Sequence, residues 1–418
     1  MSSLRELART ISTLADQLDD YNDGISANGA VSPETKDWLQ NAPKELSQSR
    51  VELIDTLLEL KYRLQSPQAA LEDLFFGYID TSSLQVIYAL NLPSYVPVDQ
   101  PISYAAIAAA SGFSEHVLRR LYRYAMTNRI FTEPEPGMVA HTPISRMLLH
   151  PDAFDCLGMT MQELQPALNH LLDALKTNPE STEPNQTAYN IANNTDLPMY
   201  PFLGKHPDRA KRFGAGMRHF TVGDHTDLRH LIDAFPWKTY DREDVRMVDV
   251  GGGQGAVTLR IASETSKMKF TVQDLEQTAA VGRSQLPDNL KERVQFMGHD
   301  FFSDQPSKDV DIYFFRWIMH NWSDKYSVKI IQALIPGLKA GAKVLVYEHL
   351  REGDSVMKWS GKGAGYLDMV MLGCYNGSVR TSEEWKALFA QADSRFVWNG
   401  VTKVPGSALS LVEVTWEP

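Results

Sequence analysis

RMVDVGGGQGAVTLRIA, residues 246–262, reads as an apolar strand ending at Val250, a glycine-rich turn, and an amphipathic helix. Glycine admits positive φ and lets a ligand approach the backbone, so Gly251, Gly253 and Gly255 suit a turn that cradles a nucleotide-like group. One such turn is weak evidence, because any tight strand-to-helix connection can use glycines. Two further signals follow at strand ends. Asp274 closes FTVQDL, where a carboxylate can accept both hydroxyls of a ribose. Asp300 closes MGHD beside Phe301, a pair able to hold an adenine amino group and cover its ring. No GK[ST] follows the loop, which excludes Walker-type phosphate binding.

Working outward, KFTVQDL, VQFMGHDF, DVDIYFFRWIMH and KVLVYEHL are short apolar runs separated by helical segments. That alternation predicts an α/β unit with a mostly parallel sheet filling residues 240–418. Upstream, residues 1–66 read as helices at 3.6 spacing, broken by the polar stretch DDYNDGISANGAVSPE. Residues 67–150 give short helices and then two strand-like pieces, a winged-helix pattern, and 151–239 read as a helical connector. At 418 residues, more than one core is expected. Both NAD and S-adenosylmethionine fit the glycine loop; Ala256 stands where a dinucleotide fingerprint has its third glycine.

In this order, and after a helical N-terminal region, DVGGGQG, QDL, GHDFF, RWIMHNWSD and LVYEHL resemble the plant and fungal small-molecule O-methyltransferases of the caffeic-acid and sterigmatocystin type. The resemblance covers nearly the whole chain and is strongest over 247–350. It implies a C-terminal Rossmann-like domain, an N-terminal dimerisation and winged-helix region, a homodimer, S-adenosylmethionine as cofactor and S-adenosylhomocysteine as product. It also implies cofactor contacts from Asp249, the three loop glycines, Asp274, Leu275, Asp300, Phe301 and Arg316.

In that family the histidine of the HDW segment is the general base, and His320 occupies its place. The chemistry asks for such a group. A phenol of pKa about 10 is a poor nucleophile at neutral pH, and a histidine of pKa about 6.5 can take its proton as oxygen attacks. The other reading of His320 is a strand-end histidine bonded to backbone; its place at the carboxyl end of an α/β strand favours the site. Glu348 matches a carboxylate that flanks the base. Two positions depart from the pattern: Asn321 replaces an aspartate, and Val379 in NGSVRT stands where relatives have a glutamate that orients the histidine. Glu383 and Glu384 read as charges at a helix start after Thr381 or Ser382. Met217 in RFGAGMRHF, with Trp317, Met319, Asn321, Met369 and Val379, are candidate substrate-pocket residues, and core filling is the competing reading of the methionines.

The expected reaction is methylation of a hydroxyl on an aromatic or polyketide-type metabolite. The alternative is a dehydration or pericyclic rearrangement on the same fold, kept open by Val379. A net charge of -11 and a single basic cluster, RRLYR, argue against nucleic acid. No apolar run approaches the roughly 20 residues of a membrane span. Two cysteines without a framework point to the cytoplasm, and no metal is expected, since neither HExxH nor CxxC occurs.

Overall fold

The computed structural model describes residues 2–27, 43–221, 223, 225–351 and 359–418, which divide into two units. The first comprises residues up to 166 together with 200–220; the second comprises 167–199 and 221–418. The stretch 151–239 is thus shared between them.

In the first unit, helix Leu4–Ala27 packs on helix Lys44–Leu64 through Leu7, Leu14 and Leu18, which are buried. This helix runs through the polar DDYND residues that the sequence reading took as a break, because its buried stripe needs only one face. The rest of that break, 28–34, lies outside the described residues. Helix Pro67–Ala89 follows, started by Ser66, whose hydroxyl caps the Ala69 amide, with proline at the first turn. Strands β1 (Ile102–Ser103), β2 (Phe131–Glu135) and β3 (Met138–His141) form an antiparallel sheet in the order β1-β3-β2. Its core gathers Ile87, Leu118, Tyr122, Phe131 and Val139.

The second unit holds a seven-stranded sheet of β4 (Arg246–Val250), β5 (Lys269–Asp274), β6 (Val294–Gly298), β7 (Val310–Arg316), β8 (Leu338–His349), β9 (Phe396–Lys403) and β10 (Leu409–Trp416). The order is β6-β5-β4-β7-β8-β10-β9, parallel from β4 to β8, with β10 antiparallel to both neighbours. Strands buried on both faces read as continuous apolar runs. Alternate residues serve opposite cores: Met247, Phe314 and Leu345 on one face, Val248, Phe315 and Val346 on the other. The chain leaves β4 toward β5 and β6, then returns to β7 on the other side of β4. Ligand crevices form at the carboxyl ends beside such a reversal. No helix among the described residues is long and apolar enough to cross a membrane.

Candidate active site

The glycine loop forms at the carboxyl end of β4, where Gly251, Gly253 and Gly255 take φ of +70°, +61° and +85°. Their reasons differ. A Cβ on Gly251 would meet Ile318 Cδ1 at 2.5 Å, and one on Gly255 would meet Phe296 at 2.9 Å, whereas Gly253 faces open space and needs only the positive φ. The neighbouring strand anchors the loop: the Gln273 carbonyl accepts from the Gly251 amide at 2.8 Å and the Gly252 amide at 3.1 Å.

Asp274 ends β5 with one carboxylate oxygen accepting from the Gly253 amide at 2.9 Å and the other from the Leu275 amide at 2.8 Å. Burial raises its pKa. The Leu275 side chain is exposed. Asp300, after β6, is exposed and accepts from the Phe302 amide at 3.0 Å; Phe301 lies 3.8 Å from where a Gly251 Cβ would stand. Asp249 sits beneath the loop, 1% exposed, and accepts from Thr258 Oγ1 at 2.8 Å. Burial pushes its carboxyl up to about 6. Arg316 ends β7, donates to the Thr226 carbonyl at 3.1 Å and lies 3.9 Å from the Trp317 ring centre; its Nε is buried without a partner. Burial lowers this guanidinium to about 10.

Beyond Arg316 the chain turns sharply. Trp317 takes φ +57°, a left-handed conformation uncommon outside glycine, and Met319–Asn321 form one turn of 3-10 helix. Asn321 Nδ2 closes this turn on the Trp317 carbonyl at 3.1 Å. The turn is seated on Glu348 of β8, whose Oε1 accepts from the amides of Ile318 (3.0 Å), Met319 (2.8 Å) and His320 (3.4 Å). His320 Nδ1 lies 3.2 Å from Glu348 Oε2, a close contact off the line of a full hydrogen bond. Burial alone would raise the Glu348 carboxyl; the facing His320, then Arg380 and the Met319 amide outweigh it and hold the pKa below its ordinary value. A second histidine, His349, follows next along β8, and burial pulls it down to about 4, so it stays neutral.

The structure therefore brings Asp249, Gly251, Gly253, Gly255, Asp274, Leu275, Asp300, Phe301, Arg316, Trp317, His320, Asn321 and Glu348 to the carboxyl edge of one sheet. The pocket candidates scatter. Met319 is fully buried in a core cluster, Val379 is buried with its amide bonded to Asp368 Oδ1 at 2.8 Å, and Met369 is exposed on helix Lys362–Tyr375. Met217 belongs to the first unit, half-buried on helix Pro207–Thr221. Glu384 is taken by a capping box with Thr381 and by Arg351 at 2.7 Å. The sequence reading missed Gly377 and Arg380, which press against the turn that carries His320; the only signal was their place around Val379 in NGSVRT. It also missed the strap 182–186. There the Thr182 carbonyl accepts from Ser323, and Glu183 accepts from Lys325 and Tyr326.

Over residues 180–395 the chain matches the O-methyltransferase domain family, and over 72–151 the O-methyltransferase dimerisation domain. It is 34% identical to a chlorophenol O-methyltransferase of Trichoderma longibrachiatum, over 100% of this chain and 91% of that one. An O-methyltransferase of Alternaria alternata is 37% identical over 94% of this chain and 90% of its own. Among solved structures, OxaC superposes with a TM-score of 0.79 at 18% identity over 99% of both chains. A pericyclic reaction enzyme superposes at 0.77 and 20% identity, over 91% of this chain and 96% of its own. At these identities the superpositions show the fold alone. The chain belongs to the S-adenosylmethionine-dependent O-methyltransferase family. It is an enzyme acting on a small molecule, and the dimerisation-domain match supports a homodimer.

The residues present fit that cofactor. The open side of Gly253, the Asp274 carboxylate and the unpartnered, buried Arg316 Nε all lie at the carboxyl edge of the sheet. Among the described residues no group of three or more His, Cys, Asp or Glu could hold a metal ion.

Proposed function

We propose that this enzyme methylates a hydroxyl of an aromatic or polyketide-derived small molecule, with His320 as general base. One observation supports it most: His320, backed by buried Glu348, stands two residues beyond Ile318, whose side chain packs on the cofactor loop at Gly251. Base and loop are thus linked through Ile318. The sequence relatives support the substrate class, the Trichoderma protein being a chlorophenol O-methyltransferase.

When bound, S-adenosylmethionine supplies a methyl group made electrophilic by its sulfonium. The loop amides, Asp274 toward the ribose, Asp300 and Phe301 toward the adenine, and Arg316 would hold it, with Asp249 stiffening the loop from beneath. A carboxylate facing Nδ1 selects the Nδ1–H tautomer of His320 and leaves the Nε2 lone pair free. Nε2 takes the substrate's hydroxyl proton as oxygen attacks, and Glu348 stabilises the imidazolium that results. The remaining work is alignment and exclusion of water.

The test uses deuteromethyl-labelled S-adenosylmethionine with a panel of hydroxylated aromatic acceptors, read by mass spectrometry. A labelled product absent from His320→Ala supports the reading. An unlabelled isomer or dehydrated product would instead support rearrangement chemistry, the second reading that Val379 keeps in view.

Two further results are expected. Asp274→Ala should weaken cofactor binding by about 1.5–3 kcal/mol for each charge-assisted hydrogen bond lost, roughly tenfold to a hundredfold by calorimetric titration. An unchanged titration would place the ribose elsewhere. Asp249→Asn should stabilise the cofactor-free protein. The Asp249 pKa rises from 3.8 to about 6 on folding. Its stabilising proton is therefore present below pH 3.8 and lost as pH rises through 6, leaving a buried charge that costs up to about 3 kcal/mol at pH 8. Asparagine keeps an acceptor for Thr258 without that charge. Denaturant melts should show a gain at pH 8 that vanishes near pH 4; equal shifts at both would refute the burial argument.

A further inference from the structure

The base's turn is held from a second side by residues 61 or fewer positions away in sequence that no motif links to it. Arg380 is 2% exposed, so its charge must be met inside the protein. Its Nη1 donates to the Met319 carbonyl at 3.0 Å, and its Nη2 to the Trp322 carbonyl at 2.8 Å and to Ser327 Oγ at 3.1 Å. Nε donates to Asp324 Oδ1 at 2.9 Å, and the guanidinium carbon lies 5.3 Å from the Trp385 ring centre. Every one of these partners except Trp385 lies in the base's turn, at its C-cap Trp322, or in the helix Asp324–Leu334 that follows. On the other side, three amides of the same turn point at Glu348 Oε1. The turn is therefore fixed between a buried anion that takes its N–H groups and a buried cation that takes its carbonyls.

Gly377 fills the remaining gap. A Cβ there would overlap the His320 carbonyl oxygen and stand 2.7 Å from the Asn321 carbonyl carbon and 2.9 Å from the Trp322 nitrogen. Atoms that close belong to main chain, which cannot swing aside as a flexible side chain would. Only glycine allows this approach.

We propose that Gly377 and Arg380 are positioning residues for His320. Resting on the assignment of His320 as base, this deepens it: the ring is aimed through its main chain, by Arg380 and Glu348 together. A second flanking acid is then unnecessary, and Val379 leaves the base in register. Between them, the Gly377–Arg380 segment and Glu348 set where Nε2 points.

The test is a double-mutant cycle read by single-turnover methyl transfer and by cofactor titration on the full-length protein. Arg380→Lys keeps the charge but loses the fork that spans two carbonyls. It should lower the methyl-transfer rate about 10- to 100-fold, the scale of a misplacement near 1 Å, with cofactor Kd within about twofold. Gly377→Ala should do the same without touching any charge, which covers the case in which Arg380→Lys folds poorly. Neither substitution should slow the residual rate of His320→Ala further. Equal losses in the native and His320→Ala backgrounds, or losses matched by weaker cofactor binding, would overturn the proposal and make both residues supports of the fold alone, with the base reading intact. Full activity in His320→Ala itself would remove the base reading, and this inference with it.

Discussion

His320→Ala is expected to lower kcat by about 10²–10⁴-fold, the usual contribution of a positioned general base, while cofactor affinity stays within about twofold. The separation follows from the geometry. The proposed cofactor contacts belong to the loop after β4 and to the ends of β5, β6 and β7, whereas the His320 ring faces Glu348 at the end of β8. Removing the ring leaves the main-chain seat unaltered, because Glu348 Oε1 and Arg380 bind backbone groups that alanine also has. The loss should be steepest for acceptors of high pKa. A strongly acidic phenol is already ionised at neutral pH and needs no base, so its rate should fall least. Comparing a nitrophenol with an unsubstituted phenol in the variant measures this directly; equal losses for both would mean that His320 acts in binding or alignment and takes no proton.

Much of the sheet is legible in the sequence because strands buried on both faces carry unbroken apolar runs, and because the glycines after β4 mark a turn that only positive φ can make. Asp274 is legible for a related reason, a carboxylate closing an apolar strand where a charge has no packing purpose, whereas Glu348 was found through the family resemblance. The helix to Ala27 was harder to read, since its polar residues hide a stripe only one face wide. Met319 shows the limit of type and spacing. It flanks the base in sequence, yet the turn rotates it into the core, 0% exposed, while His320 faces Glu348. Arg380 was illegible for a stronger reason. An arginine in a loop usually reads as a solvated charge, and what makes this one different is a set of carbonyls brought to it by the chain's return across the sheet. Asn321 and Val379, the two departures from the family pattern, could be found by sequence but not interpreted. The amide of Asn321 donates to the Trp317 carbonyl, a bond that an ionised aspartate cannot make.

Glu348→Gln is expected to reduce kcat by about 10²–10⁴-fold with the fold retained, a loss comparable to removing the base itself. Glutamine matches glutamate in shape, and its carbonyl oxygen can still accept from the Ile318, Met319 and His320 amides. Its NH2 group must then face His320 Nδ1, which lies 3.2 Å from the second carboxylate oxygen in the native protein. Two donors cannot share that contact, so the ring is driven to the tautomer with its proton on Nε2, and the lone pair that should receive the substrate's proton is lost. If the amide flips to favour Nδ1–H, three main-chain amides lose their acceptor in a buried site, at about 1–3 kcal/mol of stability for each. Activity and stability thus cannot both survive. Linkage gives an independent check. The Glu348 pKa in the folded protein lies below its ordinary 4.5, so its charge contributes stability above that pH and ceases to as pH falls through the depressed value. The native protein should therefore lose more of its melting temperature than Glu348→Gln does when pH is lowered below about 4.5. Parallel acid profiles for the two proteins, or a variant that turns over at the native rate, would mean that Glu348 carries no charge in its seat and does not set the state of His320.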